Sequence, residues 1–238
     1  MQMLVLAGGF GKRLKDVVND VPKPMAPING IPLLKLQLDH WILQGQRSFI
    51  FLLYHQAETI IELLIQQSSF YGNLITIDWI VENTPLGTGG SVSNAIHKRG
   101  LTDSVLIANA DTWLDGGLQK ISNSKSAVIG VIKVENTARY GSICVDRDGN
   151  ITEFVEKKTN SKVNVPGMIN AGLYKLPISA FFWEGEREFA LEAEILPQLS
   201  RNKLLRATML EGEFFDIGIP KDYYKFCEWY KLQKGNRG

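Results

Sequence analysis

The length, composition and charge of the chain exclude several classes of protein. The chain has 238 residues, of which 45% are hydrophobic, so it is long enough to bury a sizeable core. Its formal net charge of +1 argues against nucleic acid or an anionic membrane as a partner. No segment has the ~18 apolar residues of a membrane span, and the apolar run at 3–7 is too short for a signal peptide. We therefore expect a soluble, cytoplasmic protein that binds neither nucleic acid nor membrane.

Strand and helix patterns alternate through about residue 135. Apolar runs, of which the third contains Asp78, predict strands at 3–7, 49–53, 77–81 and 105–108. Apolar residues at helical spacing predict helices at 31–44, 57–66 and 91–98. The alternation predicts an α/β fold with a Rossmann-like mixed, mainly parallel sheet flanked by helices. Ligands bind beyond the carboxyl ends of such strands, so the segments that follow them are the candidate site.

The pattern changes after about residue 127. Segments 142–145 and 151–155 flank Asp146-Arg147-Asp148-Gly149-Asn150, which predicts a hairpin turn. Further strands are predicted at 173–176 and 207–210, and helices at 189–199, interrupted by Pro197, and at 221–233. We expect one domain over residues 1–238, with two halves that meet near residue 135.

A glycine-rich segment, Ala7-Gly8-Gly9-Phe10-Gly11-Lys12-Arg13-Leu14, follows the first predicted strand. Glycines there let backbone N–H groups approach an anion, and Arg13 offers a planar charged fork to phosphate oxygens. Lys23 lies between two prolines, which hold it on a stiff segment. The spacing fits neither a Walker loop nor GxGxxG, because Leu14 stands at the third glycine. A phosphate site is favoured over a simple turn with solvated cations.

A second glycine-rich segment, Glu82-Asn83-Thr84-Pro85-Leu86-Gly87-Thr88-Gly89-Gly90, follows the third predicted strand. Its glycines would let a flat ligand approach the backbone, and Thr88 can donate or accept a hydrogen bond, although an ordinary turn is equally compatible. Glu82 can only accept, whereas guanine presents N1–H and N2–H₂ donors. If Glu82 points at a base it favours GTP over UTP, dTTP or CTP; otherwise it is a solvated residue at a strand end.

Two aspartates are candidates for binding Mg²⁺. Asp111 follows the fourth predicted strand, and Asp216 lies between aromatic residues and a glycine turn. Mg²⁺ prefers one or two carboxylates together with phosphate oxygens and water. Taken singly, Asp111 could cap a short helix from Thr112 onward, and Asp216 could make an Asx turn.

Several separated motifs resemble those of the sugar-1-phosphate nucleotidyltransferases. They are the first glycine segment with Pro22-Lys23-Pro24-Met25, then Pro85-Leu86-Gly87-Thr88-Gly89-Gly90, Asn109-Ala110-Asp111 and Phe215-Asp216-Ile217-Gly218-Ile219-Pro220. The resemblance runs to about Asp222, and Lys12 departs from it, because the family usually has threonine there. It implies the nucleotide-diphospho-sugar transferase fold. It also implies transfer of a nucleotidyl group from a nucleoside triphosphate to a sugar 1-phosphate, with release of pyrophosphate.

The resemblance also implies roles for individual residues. Arg13 and Lys23 would be catalytic, neutralising the triphosphate and the leaving pyrophosphate, and Asp111 and Asp216 would bind Mg²⁺. The implied nucleotide contacts all lie in the half up to about residue 135. They are Leu6, Ala7, Gly8, Gly9, Gly11, Lys12, Glu82, Pro85, Gly87 and Thr88. The implied sugar-phosphate contacts are Asn109, Tyr140, Gly141, Glu156, Lys157 and Asn170. Without that context, Glu156 and Lys157 would be a surface charge pair.

Within the family, the motifs at 86–90, 139–141 and 215–218 most resemble guanylyltransferases for D-glycero-α-D-manno-heptose 1-phosphate, which serve bacterial surface-glycan synthesis. Mannose, glucose or N-acetylmuramate 1-phosphate, with GTP, UTP, dTTP or CTP, are alternative substrates. A non-catalytic nucleotide- or sugar-binding regulator is another alternative, against which the set Arg13, Lys23, Asp111 and Asp216 argues. A Rossmann oxidoreductase is disfavoured by the missing third glycine. The aromatic helix at 221–233 could pack on the core or form a homodimer face.

Overall fold

A nine-stranded sheet with helices on both faces organises the chain. The computed structural model describes residues 1–11, 14, 17–18, 21–137, 140, 142–155, 165–181 and 185–235. The strands are β1 (Met3–Leu6), β2 (Pro27–Ile28), β3 (Ile31–Pro32), β4 (Ser48–Leu53), β5 (Thr76–Val81), β6 (Val105–Asn109), β7 (Thr112–Leu114), β8 (Ala127–Val134), β9 (Ser142–Val145), β10 (Ile151–Val155), β11 (Gly167–Leu176), β12 (Leu205–Met209) and β13 (Phe214–Asp216). The helices are α1 (Leu33–Leu43), α2 (Ala57–Tyr71), α3 (Gly87–Arg99), α4 (Leu118–Ser122), α5 (Ile195–Arg201) and α6 (Pro220–Gly235).

The sheet is mixed but mainly parallel in direction. Its central path runs β10-β9-β11-β6-β1-β4-β5, with β8 paired to β11 and β12 paired to β8. Strands β10 and β11 oppose the other seven. Strands from both predicted halves share this sheet through the β6–β11 pairing. The carboxyl ends of β1, β4, β5 and β6 meet at one edge, which is where the sequence predicts the site.

The alternation of side chains along β1 gives the sheet two hydrophobic faces. Met3 and Val5 pack in a core that includes side chains of α1, α2 and α4, whereas Leu4 packs in a core with α3 and α5. All three β1 side chains are fully buried. A strand covered on both faces shows no apolar–polar alternation, which explains why its sequence is continuously apolar.

Helix α6 closes a third core rather than extending into solvent. Phe226 is fully buried, and its ring centroid lies 5.1 Å from that of Trp113 and 5.2 Å from that of Phe215. Of the two roles expected for this helix, packing on the core is therefore confirmed, and a homodimer stays a prediction. Among the residues that the structure describes, no helix is long and apolar enough to cross a membrane.

Two expectations about local structure are wrong. The helix predicted at 189–199 begins only at Ile195, because the preceding segment pairs with the start of α3: Phe189 O accepts from Gly89 N at 2.9 Å and from Gly90 N at 3.2 Å. Pro197 lies in the first turn of α5, where a missing N–H is tolerated. Asp111 does not cap a helix, because the residues that follow it form the strand β7.

Candidate active site

A cavity of about 430 Å³ opens at the carboxyl edge of β1, β5 and β6. Most of the predicted nucleotide contacts line it, together with Lys23, Asn109 and Asp111. The predicted residues in its lining are Leu6, Ala7, Gly8, Gly9, Gly11, Lys23, Glu82, Pro85, Gly87, Thr88, Asn109 and Asp111. The fold thus brings together segments that lie up to about a hundred residues apart in the sequence.

The first glycine segment leaves β1 and passes over the end of β4. A Cβ on Gly8 would lie 3.2 Å from Tyr54 Cβ, and one on Gly11, whose φ is +61°, would lie 3.2 Å from Lys23 Cβ. Around Gly9, by contrast, no described heavy atom lies within 4 Å of a Cβ position. The Phe10 ring packs edge-on to Tyr54, with a centroid separation of 5.6 Å. These contacts fix the segment against β4 and Lys23 while leaving the Gly9 backbone open.

Lys23 lies between the two predicted metal-binding aspartates. Its Nζ donates to Asp111 Oδ2 at 2.6 Å and lies 3.9 Å from Asp216 Oδ1. The lysine is only 9% exposed, while the Asp111 side chain is 40% exposed. Lys23 begins a short 3₁₀ turn, Lys23–Met25, which Pro22 precedes in an extended conformation. A cation held this deeply beside two carboxylates is positioned by the fold rather than solvated.

A short two-stranded ribbon brings the two aspartates together. Strands β7 and β13 pair antiparallel, with Asp216 opposite Thr112, and Ile217 N donates to Asp111 O at 3.0 Å. Gly218 lets the Asp216 carboxylate fold back, because a Cβ there would lie 2.7 Å from Asp216 Oδ1. The ribbon therefore closes a sequence gap that no local pattern could bridge.

The donor set fits a hard divalent cation. In the described part of the chain, no three His, Cys, Asp or Glu side chains cluster as a metal site. Mg²⁺ takes one or two carboxylates from a protein when substrate phosphates and water complete its coordination, and Asp111 and Asp216 offer two carboxylates within 4 Å of the same ammonium group. Asp111 and Asp216 are the residues that would hold it.

Residues 87–90 of the second glycine segment form the first turn of α3, and the three glycines among them pack closely against the segment 187–191. A Cβ on Gly89 would lie 2.2 Å from the Phe189 ring, and one on Gly90 would lie 2.2 Å from Arg187 O. Gly87 has a φ of +68°, and a Cβ there would lie 2.5 Å from Phe189 O. The packing of the chain itself therefore already requires glycine at these three positions, and the close approach of a flat ligand stays a prediction, which is compatible with the place of Gly87 in the cavity lining.

Replacing Gly90 by alanine should destabilise the protein. The new Cβ would collide with the Arg187 carbonyl oxygen, which belongs to backbone and cannot rotate away. We expect the free energy of unfolding to fall by about 1–3 kcal/mol, more than the roughly 1 kcal/mol that alanine gains over glycine in a helix. Urea unfolding measures the change. Gly116→Ala is the matched control, because no described heavy atom lies within 4 Å of its Cβ position; equal stability of the two variants would contradict the clash.

Glu82 faces the cavity from a buried position. It is 8% exposed, and its Oε2 accepts a hydrogen bond from Leu86 N at 3.1 Å. Burial raises the pKa of Glu82 above 4.5, outweighing hydrogen bonds from Ser91 and Leu86 that lower it. The alternative that Glu82 is a solvated strand-end residue is therefore wrong. Part of its carboxylate already organises the start of α3.

The predicted sugar-phosphate contacts are only partly gathered. Asn109 lines the cavity and lies against Gly172, where a Cβ would be 2.7 Å from Asn109 Nδ2. Asn170 lies two residues before Gly172 on β11, and its Oδ1 accepts from Gly172 N at 2.9 Å. The Tyr140 ring packs on Phe214 at 6.1 Å. Asn170 and Tyr140 both lie outside the described lining of the cavity. Five predicted contacts lie outside the described residues: Lys12, Arg13, Gly141, Glu156 and Lys157.

Comparison with known proteins agrees with this geometry. Residues 2–231 match the Nucleotidyl transferase family. The chain belongs to that family. The D-glycero-alpha-D-manno-heptose 1-phosphate guanylyltransferase of Campylobacter jejuni is 33% identical over 232 residues, which cover 95% of this chain and 98% of that protein. The Mannose-1-phosphate guanyltransferase of Debaryomyces hansenii is 32% identical over 94% of this chain and 62% of that protein.

A solved structure is similar over nearly the whole chain. HddC from Yersinia pseudotuberculosis, complexed with GMP-PN, superposes with a TM-score of 0.81 at 34% identity, covering 96% of this chain and 99% of that one. The similarity confirms the predicted fold class and the resemblance drawn from the motifs.

Besides Ser91, two residues that line the cavity lie outside every motif named from the sequence. Tyr54 lies directly after β4 and lines the cavity, so its position after a buried strand was a usable signal. Glu188 also lines the cavity. It gave no such signal, because it follows no predicted strand and lies just before the helix predicted at 189–199.

Proposed function

We propose that this protein transfers GMP from GTP to a sugar 1-phosphate, giving a GDP-sugar and pyrophosphate. The observation that carries the proposal is the Lys23 ammonium, held between Asp111 and Asp216 at a cavity that the first glycine segment also lines. The heptose 1-phosphate guanylyltransferase relative and the structural relative complexed with GMP-PN support GTP as the donor. D-glycero-α-D-manno-heptose 1-phosphate is the acceptor that we propose first.

The site suits a direct displacement at phosphorus. A phosphate oxygen of the sugar 1-phosphate attacks the α-phosphorus of the triphosphate, and the bond to the leaving pyrophosphate breaks on the opposite side. The attacking oxygen is already ionised near neutral pH, so no general base is needed. Catalysis of this kind rests on positioning and on neutralising charge. The chain supplies Lys23 for this charge and, by the motif, Arg13.

The glycine segment is proposed to bind the triphosphate through its backbone. The open position at Gly9 and the fixed turn at Gly11 leave N–H groups for phosphate oxygens. Leu6, Ala7, Gly8 and Lys12 remain proposed contacts of the same segment. When bound at Asp111 and Asp216, Mg²⁺ supplies positive charge next to the phosphate oxygens. The two aspartates also hold the Lys23 ammonium where that charge is needed.

Glu82 is proposed to select guanine. The carboxylate retains acceptor positions beyond the hydrogen bond from Leu86 N, and guanine presents two adjacent donors to such a group. Pro85, Gly87 and Thr88 would flank the base from the same wall. Uracil offers a single N–H donor, and a carboxylate would repel the carbonyl oxygens on both sides of that donor.

Replacing Glu82 by glutamine should narrow the preference for GTP over UTP. A glutamine presents an NH₂ group to one of the guanine donors, so we expect the ratio of kcat/KM values to fall roughly 10- to 100-fold, as for loss of one or two hydrogen bonds. Pyrophosphate release with each triphosphate measures the ratio. An unchanged ratio would assign base selection elsewhere in the cavity, with Glu188→Gln as the next variant to measure.

The raised pKa of Glu82 also predicts a pH-dependent stability difference. The folded state binds the proton more tightly than the unfolded chain, so ionisation of Glu82 destabilises the fold as pH rises from 4.5 through the raised pKa. Glu82→Gln lacks this cost. Urea unfolding across that window should show the variant gaining stability relative to the parent as pH rises. A difference that is constant with pH would contradict burial as the cause.

The acceptor half is proposed from the motifs and from Asn109, which reaches the cavity. Tyr140, Gly141, Glu156, Lys157 and Asn170 remain proposed contacts, and the division of the domain near residue 135 remains a prediction. Mannose 1-phosphate is the second candidate acceptor, because a mannose-1-phosphate guanyltransferase is also similar over 94% of this chain. A cytoplasmic location and a role in surface-glycan synthesis are proposals that follow from the heptose assignment.

A pyrophosphate-release assay with Mg²⁺ tests the proposed function. GTP, UTP, dTTP, CTP and ATP are each combined with heptose, mannose and glucose 1-phosphates. We expect release that requires both substrates and is fastest with GTP and the heptose phosphate. Faster release with mannose 1-phosphate would replace the acceptor, and faster release with another triphosphate would replace the donor. No release from any pair, with the protein folded, would favour a binding role.

A further inference from the structure

A chain of hydrogen bonds joins the cavity to strand β11, which carries Asn170. Thr88, in the first turn of α3, donates from Oγ1 to Glu192 Oε2 at 2.8 Å. The Tyr174 hydroxyl on β11 donates to Glu192 Oε1 at 3.3 Å and accepts from Asn170 Nδ2 at 2.7 Å. Thr88 lines the cavity, and Asn170 is a proposed sugar-phosphate contact. The Glu192 carboxylate thus connects a residue of each proposed substrate site: a first arm of the chain of hydrogen bonds ends at Thr88, and a second arm runs through Tyr174 to Asn170.

The hydrogen bond between Thr88 and Glu192 can have only one direction, with Thr88 as the donor. Its hydroxyl oxygen accepts from Leu191 N at 2.8 Å, and its hydrogen is committed to Glu192. The donor of Thr88 is therefore used within the protein and is not available to a base. The arm instead fixes the first turn of α3 against the segment that carries Glu192.

The arm through Tyr174 is also directed toward Glu192. Asn170 Oδ1 accepts from Gly172 N at 2.9 Å, which leaves Nδ2 to donate to the Tyr174 hydroxyl. The register of β11 against β8 shifts between Asn170 and Tyr174, and such an irregularity re-aims side chains. Tyr174 is fully buried, so its hydroxyl depends on these two partners. Gly172 N thus sets which way the Asn170 amide faces, and Glu192 anchors the buried Tyr174 hydroxyl to which that amide donates.

We propose that Glu192 is a positioning residue that holds Thr88 directly and Asn170 through Tyr174, so that one carboxylate aligns both substrate sites. The inference rests on the proposed function for the identity of the two substrates. Both arms donate to the carboxylate, which accepts from both at once. A glutamine at this position would turn an NH₂ group toward one donor. Misalignment of reacting groups is costly in a reaction that depends on positioning.

Steady-state kinetics on four variants test this inference. Thr88→Val removes the hydrogen bond to Glu192, together with the one from Leu191 N, and should raise KM for GTP. Tyr174→Phe removes the hydroxyl that joins Asn170 to Glu192 and should raise KM for the sugar phosphate. Glu192→Gln should raise both, each by roughly tenfold, as for a lost hydrogen bond to a charged group. The double variant Thr88→Val with Glu192→Gln should raise KM for GTP no further than Glu192→Gln alone, because the arm is already broken.

Glu194→Gln is the matched control, since Glu194 lies on the same turn and is exposed as Glu192 is, but pairs with Arg187 instead of with Thr88 and Tyr174. Its two KM values should equal those of the parent. Glu192→Gln that leaves either KM unchanged, or that raises both no more than the control does, would overturn the inference. Thermal unfolding of every variant separates misfolding from misalignment.

Binding measurements separate this inference from the proposed function. Calorimetric titration with GTP and with the sugar phosphate, both in Mg²⁺, needs no turnover. A parent protein that binds both but releases no pyrophosphate would contradict the proposed function alone. A Glu192→Gln protein that binds both as tightly as the parent would contradict the role of Glu192 alone.

Discussion

Replacing Lys23 by methionine should lower kcat for pyrophosphate release by about 100- to 1,000-fold, the usual cost of removing a preorganised group that stabilises developing charge. Methionine has a similar length and suits a site that is only 9% exposed, but it leaves Asp111 and Asp216 without their shared cation. The charge that forms on the leaving pyrophosphate would also lose its partner. We expect KM for GTP to rise as well, because the ground-state triphosphate is itself a polyanion.

Two further variants make the Lys23 result specific. Lys23→Arg keeps the charge but not the compact ammonium, so it should recover only part of the lost kcat. Lys35→Met removes a lysine that pairs with Asp39 on α1 at 31% exposure, and its kinetics should match those of the parent. A Lys23→Met protein that keeps its kcat would show that this lysine is a structural partner of the aspartates and not part of the reaction.

Replacing Asp111 or Asp216 by asparagine should have an effect of similar size, about 100- to 1,000-fold on kcat/KM. Each change removes one of the two negative charges beside the Lys23 ammonium. An amide is also a weaker ligand for Mg²⁺ than a carboxylate. Titrating Mg²⁺ into the assay should show a higher requirement in both variants. The same shift should appear in calorimetric binding of GTP at increasing Mg²⁺, which requires no turnover.

Asp115→Asn is the control for the aspartate variants. Asp115 lies four residues after Asp111, directly after β7. Its side chain is exposed, and it is not among the residues that line the cavity. We expect its Mg²⁺ requirement to equal that of the parent. If Asp111→Asn and Asp216→Asn also kept the parent's requirement, the two carboxylates would serve only to hold Lys23, and the metal would have to bind elsewhere.

The sequence predicted the site best where a motif follows a buried strand. Apolar runs located β1, β4, β5 and β6, and the residue directly after each of these four strands lines the cavity. That inference is physical, because parallel strands end at a common edge. Tyr54, which follows β4, lines the cavity for the same reason, although no motif marks it in the sequence.

The contacts between distant segments could not be read in the same way. The ribbon of β7 and β13 has three residues in each strand, too few for a periodic pattern, yet it brings Asp111 to Asp216. Gly89 and Gly90 were expected to let a ligand approach the backbone, but the segment that carries Phe189 packs against both of them. That segment was predicted to be helical, because local apolar spacing does not reveal a backbone pairing with α3.

The most direct measurement of the central claim follows the α-phosphate of GTP. The protein is incubated with Mg²⁺, heptose 1-phosphate and GTP labelled at the α-phosphorus, and the products are separated and counted. We expect the label to appear in a GDP-sugar, in equal amount to the pyrophosphate released and only when the sugar phosphate is present. Label in free GMP, or release of orthophosphate in place of pyrophosphate, would contradict nucleotidyl transfer as the reaction of this site.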